Sequence, residues 1–158
     1  MSSSAVTAET TPWLAADSAA LYGVNDWGAG YFRVLEQGEV EVAVDFGGRQ
    51  VTVSLMDIVA GMRARSLEMP AVLRIRNLLD HRIKVLNESF ARAIADGGYD
   101  SCYRGVFPIK VNQQCHVIEE IADYGSRFHH GFEAGSKAEL VIALIQLRHH
   151  DSLIVCNG

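Results

Sequence analysis

The feature that most constrains the fold is a repeated alternation of short apolar runs with amphipathic stretches across residues 70–158. Ala71-Val-Leu-Arg-Ile75 reads as a short strand. Asn77 to Ala95 reads as a helix with Leu79, Ile83, Leu86, Phe90 and Ile94 on one stripe, stopped by Gly97-Gly98. A second strand is expected over Tyr103–Val111, then a helix with Val117, Ile118, Ile121 and Ala122 as its apolar face, ending near Gly125. His130-Gly-Phe-Glu-Ala-Gly135 gives a third strand. Ser136-Lys-Ala-Glu139 has capping-box spacing ahead of the apolar run Leu140 to Leu147, and Ser152–Cys156 gives a fourth strand. Strands and helices alternating at roughly 25-residue intervals specify a parallel sheet of the α/β or (β/α)-barrel kind.

The preceding residues have another rhythm. Residues 1–17 are rich in Ser, Thr and Ala and are interrupted by Pro12, the composition of a mobile terminus, and a flexible segment is expected over 1–20. Residues 21–69 form a β-rich segment of short runs: Tyr22–Asn25, Gly28–Val34 and Gly38–Val44. Val40, Val42 and Val44 alternate with Glu39, Glu41 and Ala43, the period-two pattern of a half-buried strand. Gly47-Gly48 turns the chain into Gln50–Ser54, so a small antiparallel unit is predicted. Ser54 and Asp57 are placed to open a helix, and the aromatic group Tyr22, Trp27, Tyr31 and Phe32 is assigned to packing of this sheet.

Composition narrows the function classes. Of 158 residues 49% are hydrophobic and 21% charged, enough for a globular core. The net charge of -5 is unevenly spread: residues 1–60 carry eight acids against Arg33 and Arg49, and residues 61–158 carry eleven acids against twelve bases. No clustered basic stripe suggests a nucleic-acid surface. Cys102, Cys115 and Cys156 are odd in number and lack C-x-x-C spacing, which argues against a disulfide framework or zinc knuckle and for a reducing, cytoplasmic setting. Neither a signal peptide nor a run of roughly 18 apolar residues is found, so no membrane association is expected. His129-His130 and His149-His150 lack metal-ligand spacing and are read as solvated loop histidines.

In parallel α/β folds chemistry gathers at the carboxyl ends of strands. Three polar features fall there: Lys110 with Asn112 ends the second strand, Glu133 with Ser136 ends the third, and Asn157 ends the fourth. Lys110 is one of three lysines, and it alone is flanked by strand formers; Lys84 and Lys137 lie in polar helical stretches. An amine against a low-dielectric wall is available as a nucleophile or Schiff-base former, which makes Lys110 the candidate catalytic residue. No G-x-G-x-x-G or Walker-type loop follows any strand, so a nucleotide-binding reading has no support.

Phe107-Pro-Ile-Lys-Val-Asn-Gln-Gln114 resembles the pyridoxal-phosphate site of the biosynthetic arginine decarboxylases, a fold-type III family with an alanine-racemase-like barrel. Tyr22-Gly-Val-Asn-Asp-Trp-Gly-Ala-Gly-Tyr-Phe32 is similar to the family's amino-terminal segment. His116–Ile121, Gly131-Phe-Glu-Ala-Gly-Ser-Lys-Ala-Glu-Leu140 and Cys156-Asn-Gly158 are similar to its later segments, in the family's order and across roughly residues 20–158. The resemblance implies the first half of a pyridoxal-phosphate-binding (β/α)8 barrel, about four strand–helix units over 70–158, preceded by a small antiparallel β segment. It implies that Lys110 carries pyridoxal 5'-phosphate, that Glu133 and Asn157 lie near the cofactor, and that the substrate is L-arginine, converted to agmatine and carbon dioxide. Magnesium and a homo-oligomeric full-length form are also implied, with no magnesium ligand named. Phe107, Cys115, Ala138 and Arg76 depart from the tyrosine, arginine, proline and phenylalanine of the family pattern; Arg76 puts a charge beside a probable core.

A complete barrel needs about 250 residues, so a front part of such an enzyme is expected, truncated and inactive alone. The phosphate cup, the acid that pairs with the pyridine nitrogen and most guanidinium-reading residues of the family lie beyond Gly158. Alternatives are a non-catalytic remnant or assembly module docking through open sheet edges, or a relative acting on ornithine, diaminopimelate or carboxynorspermidine.

Overall fold

The computed structural model describes residues 12–147 and 149–158, and the chain divides into two compact units, one running to Val72 and one from Leu73 to Gly158. In the first unit α1 (Ala15–Leu21) and α2 (Val24–Trp27) precede a three-stranded sheet of β1 (Phe32–Val34), β2 (Val40–Phe46) and β3 (Arg49–Ser54), followed by α3 (Leu55–Ala64). The flexible segment expected over 1–20 is amended, because helix α1 begins at Ala15, with the Leu14 amide donating to Asp17 Oδ2 at 2.8 Å; residues 1–11 lie outside the described residues. The strand expected at Tyr22–Asn25 is replaced by a turn into α2. Gly23 takes a left-handed conformation (φ 59°), and the Trp27 indole donates to the Tyr22 carbonyl at 2.9 Å, closing the turn on itself.

The hairpin is as predicted. β2 and β3 are antiparallel with Phe46 opposite Arg49, leaving Gly47 and Gly48 as a two-residue turn at φ 62° and 80°. Both positions need positive φ, which glycine adopts without a Cβ penalty. Val42 is buried at 2% exposure, but Glu41, expected to face water, is also buried; Arg33, its cross-strand neighbour on β1, ion-pairs with it. Ser54 caps α3 by accepting from the Met56 amide at 3.1 Å, and its hydroxyl donates to Glu39 at 2.9 Å. Trp27 packs on Phe32 with ring centroids 5.4 Å apart, while Tyr22 is exposed.

The second unit consists of α4 (Arg76–Asp96), β4 (Val106–Pro108), α5 (Cys115–Gly125), β5 (Gly131–Ala134), α6 (Lys137–Gln146) and β6 (Ile154–Cys156). The strands are parallel in the order β4-β5-β6, with Phe107 opposite Phe132 and Ala134 opposite Cys156. Among the described residues of this unit three strands are formed, not four: Ala71–Ile75 enters no ladder, and Val72 is 78% exposed. An extended segment without a hydrogen-bonding neighbour has no ladder to hold it as a strand. All four residues of β5 are buried, as a central parallel strand covered on both faces requires.

The core is Ile83, Ile109, Ile118, Ile121, Ala122, Phe132 and Ala143. α5 buries the face read from its sequence. On α4 the buried line is Leu79, Ile83 and Asn87, not the line through Leu86 and Phe90, which are 43% and 44% exposed. Asn87 is tolerated inside because its amide donates to the Ile83 carbonyl at 2.7 Å. Phe90 instead stacks on Tyr103 at 4.0 Å. Gly98 ends α4 at φ 60°, the left-handed stop expected there.

Candidate active site

The second strand is shorter than Tyr103–Val111. After Pro108 the chain turns through a single 3-10 turn, Ile109–Val111. This turn drives Ile109 fully into the core and swings Lys110 outward, with 58% of its side chain exposed. The apolar wall expected around the lysine is therefore on its backbone side, and its amine reaches open space. Lys110 Nζ lies 3.7 Å from Glu133 Oε1, within ion-pair distance but beyond a hydrogen bond.

Glu133 sits in β5 opposite Pro108, the residue two before Lys110, so the strand pairing itself sets the lysine and the carboxylate side by side. The Glu133 side chain is only 9% exposed, and neither carboxylate oxygen has a hydrogen-bond partner. A buried carboxylate left this way is costly unless a donor completes it. Asn157 lies one residue past β6, is exposed, and its amide donates to the Ala134 carbonyl at 3.0 Å. Its carbonyl oxygen stands 3.3 Å from where a Cβ on Gly135 would be, and Gly158 approaches the Gly135 carbonyl closely enough that a Cβ there would lie 2.6 Å from it. The loop ends after β5 and β6 thus meet at two glycines beside Glu133. Asn112 is used locally, its Oδ1 accepting from the Gln114 amide at 3.1 Å.

Glu139 completes the frame. It is buried, its Oε2 accepts from the Gly135 amide at 2.8 Å, and its own amide donates to Ser136 Oγ at 3.2 Å. The capping-box spacing identified both side chains, but the glutamate reaches one residue further back than the usual cap and ties down the loop that follows Glu133. A shallow apolar cleft lined by Gln113, Cys115, Ile118, Ile142, Ile145 and Gln146 includes neither Lys110 nor Glu133.

The histidine reading needs correction at one position. His130 is 6% exposed, packed over Gly105 and Gly125, where an added Cβ would come within 2.5 Å and 2.9 Å of its side chain. Burial lowers its pKa, favouring the neutral ring. It is a core histidine, and the glycines at 105 and 125 were the available sign that something bulky lay against the backbone there. His129 stays half-buried, 3.9 Å from Asp151. A cluster absent from the sequence reading links the helices: Arg76 on α4 ion-pairs with buried Glu120 on α5, so the charge expected beside the core is matched by an acid.

A lysine and a buried acid thus stand side by side at the carboxyl ends of adjacent parallel strands of an α/β unit. Comparison makes the relationship particular. No family model matches the chain. It is similar to the biosynthetic arginine decarboxylases of Synechococcus sp. (strain RCC307), at 45% identity over 95% of this chain and 23% of the relative. It is likewise similar to that of Parasynechococcus marenigrum (strain WH8102), at 43% identity over 96% of this chain and 23% of the relative. The crystal structure of the biosynthetic arginine decarboxylase SpeA from Campylobacter jejuni superposes with a TM-score of 0.77 at 29% identity, covering 87% of this chain and 22% of that one. The chain resembles the amino-terminal part of biosynthetic arginine decarboxylases and spans about 23% of the length of the relatives it matches. The mixed α/β architecture, a small antiparallel sheet followed by parallel strands and helices, is theirs. None of the described helices is long and apolar enough to cross a membrane.

Proposed function

We propose that this chain is the lysine-bearing segment of a pyridoxal-phosphate-dependent arginine decarboxylase, a carbon–carbon lyase forming agmatine for polyamine biosynthesis, and that its parallel strands belong to a (β/α)8 barrel. The observation that carries the reading is the pairing of Lys110, its amine in open space, with Glu133, buried and lacking a hydrogen-bond donor. These residues fit a cofactor that carries an aldehyde: the Lys110 amine would hold it, and the Glu133 carboxylate would lie beside that amine. When bound, pyridoxal phosphate supplies an electron sink for the pair left as the α-carboxylate departs.

This chain's own residues do the rest. Lys110 would hold the cofactor through its amine and, with that amine free, would return a proton to the α-carbon of the substrate. Glu133 keeps a negative charge beside that amine. Ser136 and Glu139 fix the loop that follows Glu133, and the glycines at 135 and 158 let the loop ends after β5 and β6 pack against each other there. Asn157 borders the same space. Among the described residues no group of three His, Cys, Asp or Glu side chains is placed to hold a metal ion, so magnesium is assigned no ligand. Homo-oligomeric assembly of the full-length enzyme is part of the same proposal and rests on the resemblance.

Borohydride reduction in the presence of pyridoxal phosphate, followed by peptide mapping, tests the lysine. Label is expected on Lys110 and is lost completely in Lys110→Ala. Label on Lys84 or Lys137 with none on Lys110 overturns the assignment.

A further inference from the structure

Between α4 and α5 three charged side chains share too few counter-charges. Glu120 is buried at 6% exposure on α5, and Arg76, in the first turn of α4, ion-pairs with it from solvent. Asp80 lies one turn along α4 from Arg76, on the side of the helix that Arg76 turns to Glu120, and its Oδ1 is buried with no hydrogen-bond partner. Asp80 and Glu120 thus crowd two acids against one guanidinium. Other charges face the pair: Arg127, stacked on the Tyr124 ring at 4.6 Å, acts on Asp80, and Asp123 acts on Arg76. On α4 the nearby His81 and Lys84 are accounted for, since Lys84 lies 3.9 Å from Glu88 and His81 has interactions of its own. On α5 Glu119 is engaged by Cys115 at 3.2 Å.

We propose that Arg76, Asp80 and Glu120 form a proton-linked clasp that fastens the first turn of α4 to α5. With Asp80 protonated, its hydroxyl donates to the Glu120 carboxylate, Arg76 balances that carboxylate, and the three side chains together are neutral. With Asp80 ionised, a second negative charge faces Glu120 across the helix pair, and the turn is released. Burial first, then the neighbouring Glu120 carboxyl, raise the Asp80 pKa to about 6. The folded value lies above the ordinary value of 3.8, so the clasp is fully closed below that ordinary value and loosens as pH rises through about 6. The arrangement depends on Arg76, which ion-pairs with Glu120, and stands apart from the lysine site.

The test is amide hydrogen exchange on the whole chain, followed at Asp80 to Ile83, whose amides bond the carbonyls of the first turn. Protection there, relative to the carboxyl-terminal half of α4, is expected to rise severalfold between pH 7 and pH 4.5. In Asp80→Asn, which keeps a neutral donor, that change disappears. Retention of the pH response in Asp80→Asn, or no response in the native chain, overturns the clasp. Carboxyl-carbon NMR of the native chain decides independently of any variant: an Asp80 midpoint near 6 supports it, and one near 4 overturns it.

Discussion

The two units solve the problem of pairing strands in opposite ways. Up to Val72 each strand pairs with its neighbour in sequence, and two glycines make the tightest turn. From Leu73 onward each strand meets its partner only after a helix has crossed between them. The first sheet leaves the turn end of its hairpin in water: Phe46 at the end of β2 is 70% and Val51 on β3 39% exposed. The second buries every residue of β5. Charge follows the same division. In the first unit Glu41, the buried acid, is covered by Arg33 across the ladder; in the second, Glu133 and Asp80 keep buried oxygens without hydrogen-bond partners. A locally paired sheet can satisfy its polar groups with near neighbours, whereas strands brought together over long loops can hold chemistry whose partners come from outside.

The contrast breaks first at Phe132, fully buried at the centre of the parallel sheet. Phe132→Ala is expected to cost about 3–5 kcal/mol through lost burial and a residual cavity. The loss should fall on the second unit, with amide protection of the Val40–Ser54 hairpin unchanged in hydrogen exchange. Equal loss of protection in the hairpin would show that the two units unfold together and that the division has no energetic meaning.

This division was legible where the determinants are local. Gly47-Gly48, the valine alternation of β2, the α5 apolar face and the Ser54 and Ser136 caps each encode their element within a few residues, and each was found. What failed depended on partners distant in sequence. Ala71–Ile75 has strand composition but no ladder. Leu86 and Phe90 fit the helical period, yet the core lies against Leu79, Ile83 and Asn87. At the site, the lysine and its partner acid could be placed at strand ends from the alternation alone. The 3-10 turn that exposes Lys110 could not, because Pro-Ile-Lys-Val reads equally well as continued strand. Glu120 could not be singled out as a buried acid, because its partner Arg76 comes from another helix.

The contrast sharpens under acid. All six histidines lie beyond Val72, and His130 is the one whose pKa is lowered by burial. As pH falls past the unfolded value of about 6.5, the unfolded chain takes a proton that the native ring refuses. Stability of the second unit should then fall by at most about 1.4 kcal/mol per pH unit until the folded pKa is reached. Asp80 acts in the opposite sense over a lower range, so urea unfolding at pH 7.5 and 5.5 should be compared with His130→Gln, in which the His130 contribution is gone. A pH dependence unaltered by that substitution would exclude the histidine as its source.

The smallest expected change is the most informative about function. Glu133 loses hydration on burial and recovers only an ammonium at 3.7 Å, whose own side chain is mostly in water. Glu133→Gln removes the charge at nearly constant shape and strands no buried cation, since Lys110 is already solvated. Stability of the second unit should therefore rise, by about 1 kcal/mol, while reductive labelling of Lys110 with pyridoxal phosphate becomes weaker. A structural acid would give the opposite pair of results, lower stability with unchanged labelling. An ionisable group that costs the fold stability and serves a ligand is what a site looks like when its completing donor is not part of the sheet that holds it.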